Sequence, residues 1–210
     1  MPLGHIATVL RGLSWSKHEE SASPGQGLVP VLRIGNVQTS GIDSSDTLYV
    51  RAPPLRTSSR VLIGEDTIVM VGSNGNPNRV GNAHLATREI YGYGFASFLI
   101  GITPQAHGSA PFLLSVLQSD RIQSEITLAT SGSTGLKNIS LSWLRSLAIP
   151  VPPPEEQQFI AGVSAALDAE VATMRSAEAA ARKTRSSLLA ELLSGTHQIP
   201  PTYDRLMEAA

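Results

Sequence analysis

Short apolar runs separated by turn-forming residues dominate the first 110 positions of the chain. Each run is rich in β-branched or aromatic residues and is flanked by Gly, Pro, Asn or Asp, a pattern typical of short strands. Four such runs are residues 29–34, 48–50, 67–71 and 95–100. No longer run with helical periodicity appears before residue 109. The pattern therefore predicts a β-rich, loop-rich first half.

Helical periodicity begins near residue 111. Ser109 is a suitable N-cap, and Pro111 occupies an early helical position. Apolar residues then recur at helical spacing, at Phe112, Leu113, Val116, Leu117, Ile122 and Ile126. A polar, glycine-containing segment at 129–138 and a short element at 140–147 follow. We therefore expect a small helical part after the strands.

A long helix is predicted after a proline-rich junction. Residues 149–161 read IPVPPPEEQQFIA, and glutamates in a first helical turn suit the positive end of the helix dipole. Ser194-Gly195 and then Pro200-Pro201 provide the stop. A helix of about forty residues reaches roughly 60 Å. The fold class is therefore α+β, with a β-rich globular domain followed by a long α-helix.

One face of the predicted helix carries an apolar seam with the 3–4 spacing of a helix–helix interface, interrupted by Glu178 and Arg185. The predicted dimerisation residues are Ile160, Val163, Leu167, Val171, Met174, Ala181, Leu188 and Leu192. A stripe this narrow favours pairing with another helix over the alternative, packing against the chain's own globular domain. Because a single exposed helix of this length is poorly supported alone, a partner is expected.

Composition adds limits to this picture. Apolar residues make up 41% and charged residues 16% of the 210 positions, which is typical of a globular protein. The absence of cysteine excludes disulfides and thiolate metal sites. Residues 1–10 do not resemble a secretory signal, and no run of eighteen apolar residues exists. We therefore expect a cytoplasmic protein without a membrane span.

Recognised catalytic patterns are missing from the sequence. The glycine-containing segments 132–137 and 72–79 lack the spacing or the lysine of a phosphate-binding loop. The five histidines are scattered, which predicts no metal site. The net charge of −1 gives no overall argument for nucleic-acid binding. We therefore predict neither catalytic residues nor a metal.

Polar side chains in four segments are the remaining candidates for function. Asn can hydrogen-bond adenine, Arg can hold guanine through two bonds, and Lys or Arg can neutralise phosphates. Taken singly, each residue also fits a turn former or a solvated surface position. The predicted DNA-binding residues are Arg33, Asn36, Arg56, Arg60, Asn74, Asn76, Asn78, Arg79 and Lys137.

Several segments together resemble the specificity subunits of type I restriction-modification systems. The most specific is LAIPVPPPEEQQFIA at 147–161, preceded by GLKNIS at 135–140 and followed by LLAELLSG at 188–195. Looser similarity lies in VLRIGNV at 31–37, IVMVGS at 68–73 and FLLSVLQS at 112–119. The resemblance covers about residues 1–195.

The resemblance implies a target-recognition domain at 1–150, a spacer and dimerisation helix at 151–195 and a tail at 196–210. Family members are non-catalytic: they bind double-stranded DNA and hold methyltransferase subunits, and through them restriction subunits. No cofactor is expected in this chain, because S-adenosylmethionine belongs to the methyltransferase subunit. A typical member has two heads and two helices, whereas this chain has one of each, as a natural half-subunit or a fragment.

The single head and the unpaired seam together predict dimerisation. A homodimer with antiparallel helices, forming a coiled coil, would read two inverted half-sites. Another half-specificity subunit is the alternative partner. A different class of function also stays open, in which the chain is a non-catalytic interaction module that dimerises through its helix and binds a protein ligand with its head.

Overall fold

The computed structural model describes residues 1–51, 61–105, 108–130 and 135–196. The chain divides into two compact units, Met1–Gly162 and Val163–Ala210. We call the first unit the head. The candidates Arg56 and Arg60, and residues 197–210 of the predicted tail, lie outside the described residues.

Twelve short strands and four short helices form the described part of the head. The strands are β1 (Ala7–Arg11), β2 (Glu20–Ser21), β3 (Leu28–Leu32), β4 (Val37–Gln38), β5 (Gly41–Ile42), β6 (Leu48–Arg51), β7 (Ile68–Val71), β8 (Ser73–Asn74), β9 (Ala83–Leu85), β10 (Gly94–Phe95), β11 (Leu99–Pro104) and β12 (Lys137–Asn138). The helices are α1 (Leu3–Ile6), α2 (Ala110–Gln118), α3 (Asp120–Ala129) and α4 (Leu141–Ser146). A fifth helix, α5 (Pro154–Leu193), begins in the head and continues beyond it.

Two four-stranded sheets organise the head. The first has the strand order β1-β11-β7-β9 and is antiparallel throughout. The second has the order β10-β3-β6-β2, in which only β10 and β3 run parallel. Two-stranded ladders join β12 to β8 and β4 to β5.

Strand β7 is buried on both faces. Ile68 and Met70 belong to a core with the helices α1 to α4, whereas Val69 and Val71 belong to a second core with β3, β10 and β11. Alternate residues of a strand point to opposite faces, so this one strand contributes to both cores. The near-continuous apolar run that predicted it is the pattern of a strand covered on both sides.

The predicted α+β class is confirmed, while several element boundaries were wrong. The run 95–100 is two strands in different sheets, because residues 96–98 form a bridge and a turn. The helical region from 111 to 126 is divided at Ser119 into α2 and α3. Strand β1 was not predicted, and among the described residues before 109 there are also helix α1 and short 3-10 turns such as Lys17–Glu19 and Pro77–Arg79.

The proline junction is fixed to the head by backbone and side-chain hydrogen bonds. The terminal ammonium of Met1 donates to the carbonyl of Ile149 at 2.7 Å, and the N–H of Ile149 donates to the carbonyl of Met1 at 2.8 Å. Gln157 is buried; its Oε1 accepts from the N–H of Ser109 at 3.2 Å and its Nε2 donates to the carbonyl of Pro152 at 2.9 Å. This glutamine thereby joins the first turn of α5 to the start of α2.

Helix α5 has the predicted ends. It begins at Pro154, with Glu155 and Glu156 in its first turn. It stops before Gly195, whose φ of 72° is the left-handed conformation that glycine adopts after a helix. No helix among the described residues is long and apolar enough to cross a membrane.

Candidate nucleic-acid interface

One edge of the head brings together most of the described candidate residues. Strand β8 pairs with β12 in antiparallel register, which places Asn74 opposite Lys137. Because the two strands are adjacent, Lys137 lies beside the asparagine-rich loop that follows β8. Two segments more than sixty residues apart in sequence thus share one ladder.

Asparagine side chains shape the loop from Asn74 to Arg79. The Oδ1 of Asn74 accepts from the N–H of Asn76 at 2.9 Å, and the Oδ1 of Asn76 accepts from the N–H of Asn78 at 3.0 Å. The second bond caps a short 3-10 turn, Pro77–Arg79. Asn76 and Asn78 are exposed, Asn74 is half-buried, and the loop presents amide groups to solvent in a fixed arrangement.

Arg79 connects this loop to the loop after β3. Its Nη2 donates to the carbonyl of Val37 at 2.6 Å and to that of Ile34 at 3.1 Å. A second contact in the same region joins the Nε2 of His84 to the carbonyl of Gln38 at 2.7 Å. The guanidinium of Arg79 therefore holds two predicted recognition loops together in this structure.

Asn36 acts inside its own loop. Its side chain is 4% exposed. Its Oδ1 accepts from the N–H of Arg33 at 2.7 Å, and its Nδ2 donates to the carbonyls of Asp43 at 2.8 Å and Asp46 at 3.1 Å. These bonds set the loop conformation, so in this structure Asn36 supports the interface from beneath.

Charges of both signs lie on this edge. Arg33 is half-buried, and its Nη2 forms an ion pair with Oδ2 of exposed Asp46 at 2.6 Å. Asp43 is exposed, and hydrogen bonds from the side chain and backbone N–H of Ser45 lower the pKa of its carboxyl. Asp43 is therefore negatively charged at neutral pH, and Lys137 is the strand residue that offers positive charge beside the asparagine loop.

A half-buried arginine, Arg11, supports the ladder through hydrogen bonds. The Nη2 of Arg11 donates to the Oδ1 of Asn138 and to the carbonyl of Ile139, each at 2.5 Å. Its Nη1 donates to the Oγ of Ser73 at 3.2 Å, and Ser73 also donates to Asn138. A Cβ at Gly72 would lie 2.7 Å from Nη1 of Arg11 and 2.7 Å from Cγ1 of buried Ile100, so a larger residue there would displace these side chains. Desolvation lowers the pKa of this guanidinium.

An apolar groove of about 650 Å³ lies beside the Arg33 loop. Its aromatic residues are Trp15 and Phe98, and the latter is 45% exposed. The carbonyl of Phe98 accepts from the N–H groups of Gly72 and Ser73, which fixes the turn next to β8. The groove thus lies between two of the candidate loops.

The sequence did not identify Arg11, Trp15 or Phe98. Arg11 ends a run, ATVLR at 7–11, whose β-branched residues were a signal for an extra strand. Trp15 is isolated in sequence, and Phe98 lies inside the run 95–100 that predicted a strand, so neither was singled out as a site residue. The remaining candidates stay predictions as DNA-binding residues.

The seam of α5 has exposed apolar side chains. Val163, Leu167, Val171, Met174 and Leu188 are all exposed. The second turn differs, because Ala161 is buried and Ile160 half-buried. Large apolar side chains in a row on a helix surface are the mark of an interface.

Charge is divided along the same helix. Residues 154–174 contain four acidic residues and no Lys or Arg, at positions 155, 156, 168 and 170. Residues 175–193 contain four basic residues, at 175, 182, 183 and 185, against two acidic ones, at 178 and 191. Within the second half, Glu178 pairs with Arg182 at 2.7 Å.

A β-rich head with a polar loop edge and a long helix with an unpaired seam define a recognition and assembly class of protein. Solved structures with this fold are specificity subunits of restriction-modification systems. The type I S subunit from M. genitalium matches with a TM-score of 0.60 at 18% identity, over 92% of this chain and 45% of its own. The HsdS subunit from Thermoanaerobacter tengcongensis matches with a TM-score of 0.63 at 16% identity, over 90% of this chain and 43% of its own.

Sequence comparison gives the family. The family model for the type I restriction modification DNA specificity domain matches residues 1–180, so the chain belongs to that family. The StySPI specificity subunit of Salmonella potsdam is 24% identical over 200 residues, which are 93% of this chain and 42% of that protein. The EcoKI specificity subunit of Escherichia coli K12 is 24% identical over 163 residues, which are 76% of this chain and 34% of that protein.

Two consequences follow from these comparisons. The predicted family is confirmed, and by family the chain is a specificity component rather than an enzyme. The chain spans less than half the length of the curated relatives that it matches.

Proposed function

We propose that this chain is the sequence-specific DNA-recognition subunit of a type I restriction-modification complex, and that its head binds one half of a divided double-stranded target. The observation that carries the proposal is the polar edge of the head. There the asparagine loop, Arg79 and Lys137 come together, in a chain of the DNA specificity family. Amide and guanidinium groups read base edges, and Lys neutralises phosphate.

We assign one role to the predicted target-recognition domain and another to the predicted spacer helix. Residues 1–150 recognise DNA, and residues 151–195 form the spacer that pairs with a second subunit. The other parts of the complex are methyltransferase subunits, which use S-adenosylmethionine, and restriction subunits, which are held through the methyltransferase subunits. The complex works in the cytoplasm. This chain contributes no catalytic residue.

A second copy in antiparallel orientation is the proposed partner of α5. Its acidic first half and its second half with an excess of basic residues attract each other only when the helices run in opposite directions. In a parallel pair, acidic residues would face acidic ones. The exposed seam supplies the apolar contact. A different half-specificity subunit with the same charge division would fit equally.

The alternative function, a head that binds a protein, has one observation in its favour. The groove at Trp15 and Phe98 is apolar, and acidic Asp43 and Asp46 lie at its margin. Arg33 lines the same groove and pairs with Asp46, so Asp43 is the carboxylate that would attract a basic group of an apolar peptide.

Two measurements test the proposal. Sequencing the methylated sites in cells that carry this chain with its methyltransferase subunit should give a target of two equal inverted half-sites. A target with unequal halves would indicate a different half-subunit as partner. In vitro, DNA affinity should fall steeply with salt, because phosphate contacts release counterions. Binding that is insensitive to salt or sequence would favour the protein-binding alternative.

A further inference from the structure

A second apolar groove, which we call the basal groove, lies within the head at the start of α5. It has a volume of about 530 Å³. Helices α2 and α3 form one wall, and the proline junction and the first turns of α5 form the other. Its apolar lining is Phe112, Val116, Ile122, Val151 and Ile160. Arg121 and Glu156 are its charged residues.

The first residue of the predicted seam lines the basal groove. Glu156 and Ile160 are four residues apart on α5, so they lie on the same face of the helix. Ile160 is both a lining residue of the groove and the first residue of the seam. A second helix that packs along the seam therefore passes over the groove when it reaches Ile160.

The last two turns of α5 carry more apolar side chains than the seam uses. They contain Leu188, Leu189, Leu192 and Leu193, four leucines within six positions. Leu193 is 87% exposed, and Leu188 and Leu189 are also exposed. The predicted seam uses only Leu188 and Leu192, so Leu189 and Leu193 need another contact.

Helix length decides which part of a partner reaches the groove. Two 40-residue helices that overlap antiparallel along their full length bring the last turn of one beside the first turn of the other. The charge division along α5 favours this antiparallel direction. Residues 188–193 of one copy then lie next to Glu156 and Ile160 of the second copy.

We propose that the basal groove is the docking site for Leu189, Leu192 and Leu193 of a second copy of this chain. The inference rests on the antiparallel homodimer of the proposed function and adds to it a contact between each helix end and the head of the other copy. Each dimer contains two such contacts. They fasten the helix ends, so the two heads are held at a defined separation.

Photo-crosslinking of the full-length chain tests the contact directly. Ser115 lines the groove, and replacing it with p-benzoyl-L-phenylalanine places a crosslinker there. With a mixture of 15N-labelled and unlabelled protein, the mass spectrum should show crosslinks between copies that map to residues 188–193. The same crosslinker at Leu128, which is 87% exposed on α3 and does not line the groove, is the control. Crosslinks within one copy, or to another segment, would overturn the proposal.

Substitution gives an independent measurement. The double variant Leu189→Ser, Leu193→Ser should weaken dimerisation at least about tenfold in sedimentation equilibrium, because four leucines per dimer lose apolar burial. Leu128→Ser, at a side chain as exposed as Leu193, should leave the dissociation constant unchanged. If wild-type chain is monomeric, the homodimer itself fails. If it is dimeric and the double variant dimerises equally well, only the groove contact fails.

Discussion

The Nη2 of Arg11 lies 2.5 Å from the Oδ1 of Asn138, so a residue at the end of the first strand holds one of the last residues of the β8–β12 ladder. Arg11 reaches Ser73 on the other strand of that ladder as well. Both strands of the ladder beside the asparagine loop are therefore held by one side chain from β1.

We expect Arg11→Ala to lower the free energy of unfolding of the head by about 2–3 kcal/mol, because several charged hydrogen bonds are lost and their acceptors stay buried. Arg11→Lys should recover only part of this, since an ammonium lacks the planar fork. The free energy of unfolding is measured by urea denaturation, with the fluorescence of Trp15 and Trp143 as the signal. Arg88→Ala, at an exposed position, is the control, and an equal effect of both variants would contradict the assignment.

Substitutions at Asn36 and Asn78 should affect different properties, namely the stability of the head and the binding of DNA. Asn36→Ala removes three hydrogen bonds of a buried amide and should cost about 1–3 kcal/mol of stability. Asn78→Ala changes an exposed side chain and should alter stability by less than about 0.5 kcal/mol. If the loop reads bases, Asn78→Ala weakens binding to the methylated target in a gel shift. A stable Asn36→Ala variant would show that its hydrogen bonds contribute little.

Arg79→Ala should reduce specific DNA affinity by about tenfold or more, because the two loops that it joins lose their common support. Its Nη2 is directed to two carbonyls, so the salt dependence of binding should stay as in wild type. Titrations at several salt concentrations on target and scrambled duplexes distinguish the roles. A smaller salt slope would instead identify Arg79 as a phosphate contact.

Lys137→Ala should reduce the salt slope by about one phosphate contact and weaken binding similarly on all sequences. The reason is its place on β12, opposite Asn74, beside the asparagine loop. Lys17→Ala, at an exposed lysine of a different segment, serves as the comparison. An unchanged slope for Lys137→Ala would remove this lysine from the interface.

Helix direction can be measured with spin labels, because the chain has no native cysteine. In an antiparallel dimer with full overlap, labels at Ala165→Cys should be about 25 Å apart along the axis and labels at Ser176→Cys about 8 Å, from the rise of 1.5 Å per residue. Parallel helices would give similar, short distances at both positions. Electron–electron double resonance on each single variant reports these distances.

The sequence predicted those elements whose own residues carry enough periodicity. Strand β7 is a continuous apolar run and helix α5 is long and periodic, so both were found, together with the stop at Gly195. The run 95–100 was misread as one strand because the turn at residues 96–98 is itself apolar at Ala96 and Phe98. Two-residue strands such as β8 and β12 have no period to detect.

The residue types of the candidate site could be predicted from the sequence, but the spatial arrangement of these residues could not. An Asn-rich loop and a lysine in a polar segment are visible in the sequence, but their pairing across β8 and β12 depends on Arg11, far away in the chain. The supporting role of Asn36 was hidden for the same reason. Its burial comes from the loop that it shapes, with partners seven and ten residues later.

The anchoring of the asparagine loop bears on how the proposed DNA sequence preference could be changed. Residues 75–78 are exposed, whereas Ser73 on one side is held through Arg11 and Arg79 on the other is tied to the β3 loop. The side chain of Asn76 caps the turn between these anchored ends, so Asn78 is a position whose exchange keeps that capping side chain in place. If the loop reads bases as proposed, a library at Asn78 would be the starting point for changing the preferred sequence.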